Sequence, residues 1–168
     1  MGALTPEVIA GAAAGDAEAL AAYLKAIKED SARGVHMGTH LSIEIVEVGS
    51  SHVTMRMPWK REFRRGGGIF HGGAIMALAD HVAGCLFHTD PRVAASESTG
   101  LTTDFNVSFL RAAEPGEGMS ATGTVLRRGK NVTFMQIDVR GETSGLTLAT
   151  CRTTYLRVPV TSFGKRKQ

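Results

Sequence analysis

The residues best suited to chemistry stand within ten positions of one another. His71-Gly72-Gly73 opens an apolar run, Ala74-Ile75-Met76-Ala77-Leu78-Ala79, that ends on the carboxylate of Asp80. A glycine-rich loop running into an apolar segment predicts a helix start. Asp80 follows Gly73 by seven residues, which at about 3.6 residues per turn returns nearly to the same face. A helix start offers unpaired backbone N–H groups and the positive end of the helix dipole. In this reading a carbonyl oxygen is held at the Gly72 amide. Asp80 works beside it, as general base on water or as a direct nucleophile. That is chemistry for acyl transfer. A charge within an apolar helix is costly unless it has a task or a partner.

The neighbouring candidates carry less. Glycines at 72 and 73 also suit a plain tight turn. His71 reads first as a residue that orders the loop by hydrogen bonding and second as a substrate contact. His81 adjoins Asp80 but is turned about 100° away on a helix. Neither of these histidines has a metal-ligand partner at useful spacing, and Cys85 and Cys151 form no zinc pattern, so no metal is expected.

These residues need a frame. Thr5-Pro6-Glu7 is a helix-start signal, with Gly11 and Gly15 weakening the segment that follows. Asp16 caps a second helix expected over 17–33, where Leu20, Tyr23, Leu24 and Ile27 recur at helical spacing and Gly34 supplies the stop. From Leu41 the period becomes two. Leu41, Ile43 and Ile45 form one predicted strand, and Val53, Met55 and Met57 another. A loop spans 58–72. The helix expected from Gly73 to about Phe87 is apolar nearly all round and rich in small residues, the mark of a helix buried on most sides. Asp90-Pro91 ends it. Strands at 98–110, 118–128, 131–140 and 146–158 read as an antiparallel meander, with hairpin turns at Arg128-Gly129-Lys130-Asn131 and over 141–145.

Composition sets the class. The chain has 168 residues, 43% apolar and 21% charged, which suits one folded domain rather than a disordered segment. It divides into a helical extension (1–36), a main domain (37–160) and a basic tail (161–168). No apolar run reaches the ~20 residues of a membrane span, and no secretory signal pattern appears. Reduced, buried thiols and a cytoplasmic protein are the expectation. The first 50 residues hold three basic and seven acidic side chains, and the remainder holds sixteen and nine. Basic clusters fall at Arg56, Lys60, Arg61, Arg64 and Arg65, and at Arg127, Arg128 and Lys130. Aromatic residues total only 6%, too few for the aromatic interleaving of a nucleic-acid surface.

One long buried helix flanked by strands resembles the hotdog fold, an α+β arrangement in which an antiparallel sheet wraps a central helix. His71-Gly72-Gly73 with Ala77-Leu78-Ala79-Asp80 resembles the PaaI-type acyl-CoA thioesterases. Thr102-Thr103-Asp104-Phe105-Asn106-Val107-Ser108-Phe109-Leu110-Arg111 is similar to that family's third strand. Val125-Leu126-Arg127-Arg128-Gly129-Lys130 is similar to its coenzyme-side hairpin. The resemblance covers about 38–158 and leaves out the first helices. It implies hydrolysis of an acyl-CoA, with Asp80 as the catalytic carboxylate, Gly72 N–H as oxyanion donor and Thr102 helping to place water. Arg127, Arg128, Gly129 and Lys130 would hold the coenzyme A phosphates. Coenzyme A is then part of the substrate, and no separate cofactor is implied. The resemblance also implies a homodimer or dimer of dimers, with sites at the subunit interface that combine Asp80 of one chain with strand residues of the other. There is one departure. Where the family commonly has Asn or Gln, this chain has Arg65, which accepts no hydrogen bond and would weaken Asp80 as a base if the two paired. A hydratase or dehydratase on the same fold and a non-catalytic acyl-CoA sensor are the competing readings.

Overall fold

The computed structural model describes residues 5–31 and 37–163. Two helices come first, α1 (Pro6–Ala14) and α2 (Ala17–Ser31). Thr5 caps α1 by accepting from the Val8 N–H, and Gly15 stops it in a left-handed conformation, φ 92°. Asp16 Oδ1 accepts from the Ala19 N–H at 2.7 Å and caps α2. Arg33, Gly34 and the boundary expected at residue 36 lie outside the described residues, as does most of the basic tail. A one-turn helix, α3 (Met37–His40), follows. Strands β1 (Glu44–Val48) and β2 (His52–Met57) then form a hairpin. The first strand begins three residues later than its apolar alternation suggested. Ile43 N–H is bonded back to Gly38 O, and Ser42 sits at φ 54°, so the chain is still turning there.

A loop containing a short 3-10 turn, Arg61–Phe63, leads to α4 (Gly72–His88). A further short helix, α5 (Pro91–Ala95), was not foreseen. Asp90, read from sequence as a terminator, is its N-cap and accepts from the Arg92 N–H at 3.0 Å. Four long strands complete the chain: β3 (Ser98–Phe109), β4 (Met119–Arg128), β5 (Val132–Gly141) and β6 (Thr147–Pro159).

The six strands make one antiparallel sheet in the order β1-β2-β4-β5-β6-β3. The expected four-strand meander is therefore corrected: β4, β5 and β6 are successive hairpins, but β3 lies at the far edge against β6. The reason lies in the connections. Residues 110–118 contain Pro115 and a left-handed Gly116, φ 83°, and form no tight hairpin, whereas β4–β5 and β5–β6 are joined by short turns.

The sheet wraps α4. Leu78, Ala79, Val82, Ala83, Leu86 and Phe87 on the helix are buried against Val53, Met55 and Met57 of β2 and Ile137 and Val139 of β5. Close approach comes from both sides. A Cβ at Gly123 of β4 would stand 2.7 Å from Val82 Cγ1, so glycine on the strand is needed where the helix presses in. α1 and α2 dock outside this core through a smaller cluster centred on Ala12, Tyr23 and Ile27, which touches Val48, Cys85 and Ala94. No described helix is long and apolar enough to cross a membrane.

Candidate active site

α4 begins at Gly72 because His71 caps it. The imidazole Nδ1 accepts from the Gly73 N–H at 2.9 Å. His71 thus takes up one of the orphan amides of the helix start, and Gly73 is spent on it. The His71 carbonyl accepts from Ala74 and Ile75. Among the described residues the half-buried Gly72 N–H has no acceptor, so it is the donor left over at this helix start. A Cβ on Gly72 would meet Phe109 Cζ at 3.3 Å, which keeps the backbone here narrow.

Asp80 lies in the middle of α4, exposed on the side facing a cleft of about 750 Å³. Its Oδ1 accepts from Thr102 Oγ1 at 3.1 Å and from the Tyr155 hydroxyl at 3.0 Å. Thr102 of β3 and Tyr155 of β6 are cross-strand partners, and β3 shifts register between Thr102 and Asp104. The pairing and the bulge together aim both hydroxyls at one carboxylate oxygen. The Tyr155 hydroxyl is raised well above the ordinary phenol value, by burial first of all, and stays a neutral donor. Among the described residues, Asp80 Oδ2 accepts nothing and no cation pairs with the carboxylate. An ionised carboxyl has about four acceptor positions, so most of its capacity remains open to the cleft.

One expectation about this site is corrected. Gly72 and Asp80 are eight residues apart along one helix, a rise of about 12 Å. Face matching alone does not bring them to one carbonyl, because the translation along the axis is too long. Thr102, for which the resemblance implied a role in placing water, donates to Asp80 of its own chain.

The basic candidates separate. Arg65 is exposed on the loop before α4, its N–H bonded to Ile69 O. Its side chain forms no ion pair or hydrogen bond among the described residues, so it does not neutralise Asp80 within the chain. Arg128 turns inward. It donates to Thr89 Oγ1 at 2.8 Å and to Ser50 O at 2.7 Å, and lies 3.7 Å from Asp90. Its guanidinium closes the C-terminal end of α4, where carbonyls lack partners, and is not presented to a phosphate. Gly129 shapes the turn, donating to Val132 O at 2.7 Å. Arg127 and Lys130 remain exposed. Neither cysteine is in a disulfide. Burial pushes the Cys151 thiol up to about 11. No group of three metal-ligating side chains occurs among the described residues.

Sequence reasoning missed Tyr155. Its signal was present: on β6 the inward positions Cys151, Thr153, Tyr155 and Arg157 alternate with outward ones, and Tyr155 is the uncharged one among them with a long polar reach.

Residues 67–148 match the model of the thioesterase superfamily. A putative esterase of Haemophilus influenzae is 31% identical over 111 residues, 64% of this chain and 75% of that protein. The chain belongs to the thioesterase superfamily. Human acyl-coenzyme A thioesterase 13 is 27% identical over 112 residues, covering 67% of this chain and 77% of the relative. Among solved structures, the PaaI protein of the E. coli phenylacetic acid degradation operon superposes with a TM-score of 0.74 at 19% identity, over 83% of this chain and 96% of that one. The fold is the hotdog fold, with helices added at the N-terminus, and the chain is a thioester hydrolase. The matched segment carries Gly72, Asp80, Thr102 and the β4–β5 turn. It does not reach α1 or α2.

Proposed function

We propose that this thioesterase hydrolyses acyl-CoA in a homodimer whose active sites are shared between chains. The carrying observation is Asp80: a carboxylate at a cleft, oriented by two neutral hydroxyls, with one oxygen open and no cation among the described residues to quench it. Water held at Oδ2 attacks the thioester carbon while its proton passes to Asp80. The developing oxyanion is met by a Gly72 N–H and the positive end of α4. The tetrahedral adduct then expels the coenzyme A thiolate, which takes up a proton, and the free acid leaves.

The same-chain Gly72 lies about 12 Å away along the helix, too far to share one carbonyl, so the donor in this reading is Gly72 of the partner subunit. A twofold dimer supplies that arrangement twice. Support for such pairing comes from β3. It is a twelve-residue edge strand without Lys, Arg or Pro, and it exposes Leu101 and Phe109 at 41% and 52%. An open edge of this kind invites a second copy. Arg127 and Lys130 are the side chains left for the coenzyme A phosphates.

Thiol release from a panel of acyl-CoAs tests the proposal. Turnover with the native chain is expected, and Asp80→Asn should lower it at least ~100-fold, the scale of a positioned base, with an unchanged melting temperature. Near-native turnover in that variant contradicts the assignment. Tight acyl-CoA binding without thiol release favours a sensor instead.

A further inference from the structure

The cleft beside Asp80 is much larger than hydrolysis requires. At about 750 Å³ it falls within the usual range of small-molecule sites. It runs along the outward face of α4 from Asp80 past Gly84 and Cys85 to His88, about 12 Å by helix rise. The Asp80 end is polar. Farther along, the walls are Ile43 and Ile45 beside β2's Met55, and the roof is Tyr23 and Ile27 of α2. Gly84 contributes no side chain, which leaves the passage open next to the carboxylate.

The far end is closed deliberately. The Tyr23 hydroxyl donates to the His88 carbonyl at 2.9 Å, one of the orphan acceptors at the end of α4. Tyr23 is 2% exposed and Ile27 8%. Both belong to the cluster that fixes α2 against Cys85 and Val48. The roof is therefore a packed wall and not a loose flap. It is built from residues outside the segment that matches the superfamily, 67–148.

We infer that the cleft under α2 is the acyl pocket, that it takes an extended apolar acyl group of medium length, and that Tyr23 and Ile27 set the limit on that length. This rests on the acyl-thioester reading above. The thioester carbonyl sits at Asp80, the coenzyme leaves through the open polar end, and the tail lies toward His88. Burying the tail there is favourable in proportion to its methylenes until Tyr23 stops it. The N-terminal helices are then the specificity element of the enzyme.

Thiol release measured from acetyl- to palmitoyl-CoA should show kcat/KM rising with acyl length to a maximum and then falling. Ile27→Trp, projecting into the far half of the cleft, should lower the decanoyl-to-acetyl ratio of kcat/KM at least about tenfold, the cost of excluding two methylenes. Ile45→Phe should act in the same direction from the facing wall, and Tyr23→Ala should move the maximum to longer chains. A second readout does not need turnover. In the Asp80→Asn protein, alkylation of half-buried Cys85 by iodoacetamide should be slowed by decanoyl-CoA and little by acetyl-CoA, while buried Cys151 stays unreactive. Unchanged chain-length ratios in both isoleucine variants, or equal protection by the two acyl-CoAs, overturn the inference and leave the hydrolase reading standing. Chain-length-dependent protection of Cys85 together with no thiol release by the native protein overturns the hydrolase reading and leaves the pocket assignment intact.

Discussion

α4 carries an aspartate in its middle and leads into another just past its end, and the two are treated in opposite ways. Asp80 faces a cleft, accepts from two neutral hydroxyls on one oxygen and keeps the other open. Asp90 is 4% exposed. Its Oδ2 is 2.7 Å from Arg92, 3.2 Å from Arg157 and 3.7 Å from Arg128. Burial alone would raise the Asp90 carboxyl, but the bonds from Arg92 and the charge of Arg128 together hold it below the ordinary carboxylate range. A carboxylate ringed by cations is a fixed structural anion with little basicity to offer. One aimed by hydroxyls keeps its acceptor capacity. The difference separates a group placed for chemistry from one placed for stability.

Exchanging the lesions tests this most severely. Asp80→Asn should cost at least ~100-fold in kcat and leave thermal stability near native. Asp90→Asn should cost about 3 kcal/mol of stability, because it strands buried guanidinium groups, yet leave kcat per folded molecule near native. Thermal melts paired with thiol-release assays read both, and a crossed result would break the comparison. Removing the hydroxyls that orient Asp80 should act more mildly. Thr102→Val and Tyr155→Phe should each lower kcat by up to about tenfold, the scale of one hydrogen bond, with smaller changes in KM.

The arginines sharpen the contrast further. Arg128→Ala should lower the melting temperature, because it uncaps the end of α4. The double variant Arg127→Ala/Lys130→Ala should instead raise KM for acyl-CoA a few-fold and flatten its dependence on salt, as the loss of exposed charges demands. Salt titration of KM in the two proteins checks this. The smallest effect concerns pH. Burial lowers the His88 pKa. Backbone bonds from Ser144 lead the groups that lower Glu117, and Asp90 is lowered too. In each case the unfolded chain holds more protons, so stability falls as pH falls. The loss should begin below the ordinary histidine value near 6.5 and deepen through the carboxylate range. His88→Gln should remove only the first part, and melting curves across pH would show it.

Much of this was legible in the chain. Asp80 stood out because a charge in an apolar helix needs a reason, and Val53, Met55 and Met57 announced their strand by period two. Both helix starts at Thr5 and Asp16 followed from capping chemistry. What was not legible depended on partners distant in sequence. Nothing local tells that Arg128 turns in while Arg127 stays out, since that is decided by the carbonyls of Ser50 and Leu86. The edge position of β3 and the convergence of Thr102 with Tyr155 depend on sheet order. The distance from Gly72 to Asp80 was within reach of sequence: helical rotation puts them on related faces, but the rise per residue already separates them.

The shared site can be tested by mixing two inactive proteins. Gly72→Pro deletes one N–H at the first helical position, where proline is tolerated; its Cβ asks exposed Phe109 to give way slightly, and His71 already has the extended ψ of 137° that precedes proline comfortably. Asp80→Asn deletes the base. If each site joins Asp80 of one chain to Gly72 of the partner subunit, subunit exchange between the two variants rebuilds one intact site per mixed dimer and restores about one quarter of native activity. Mixtures that stay as inactive as their components, with exchange verified by mass spectrometry, would contradict it.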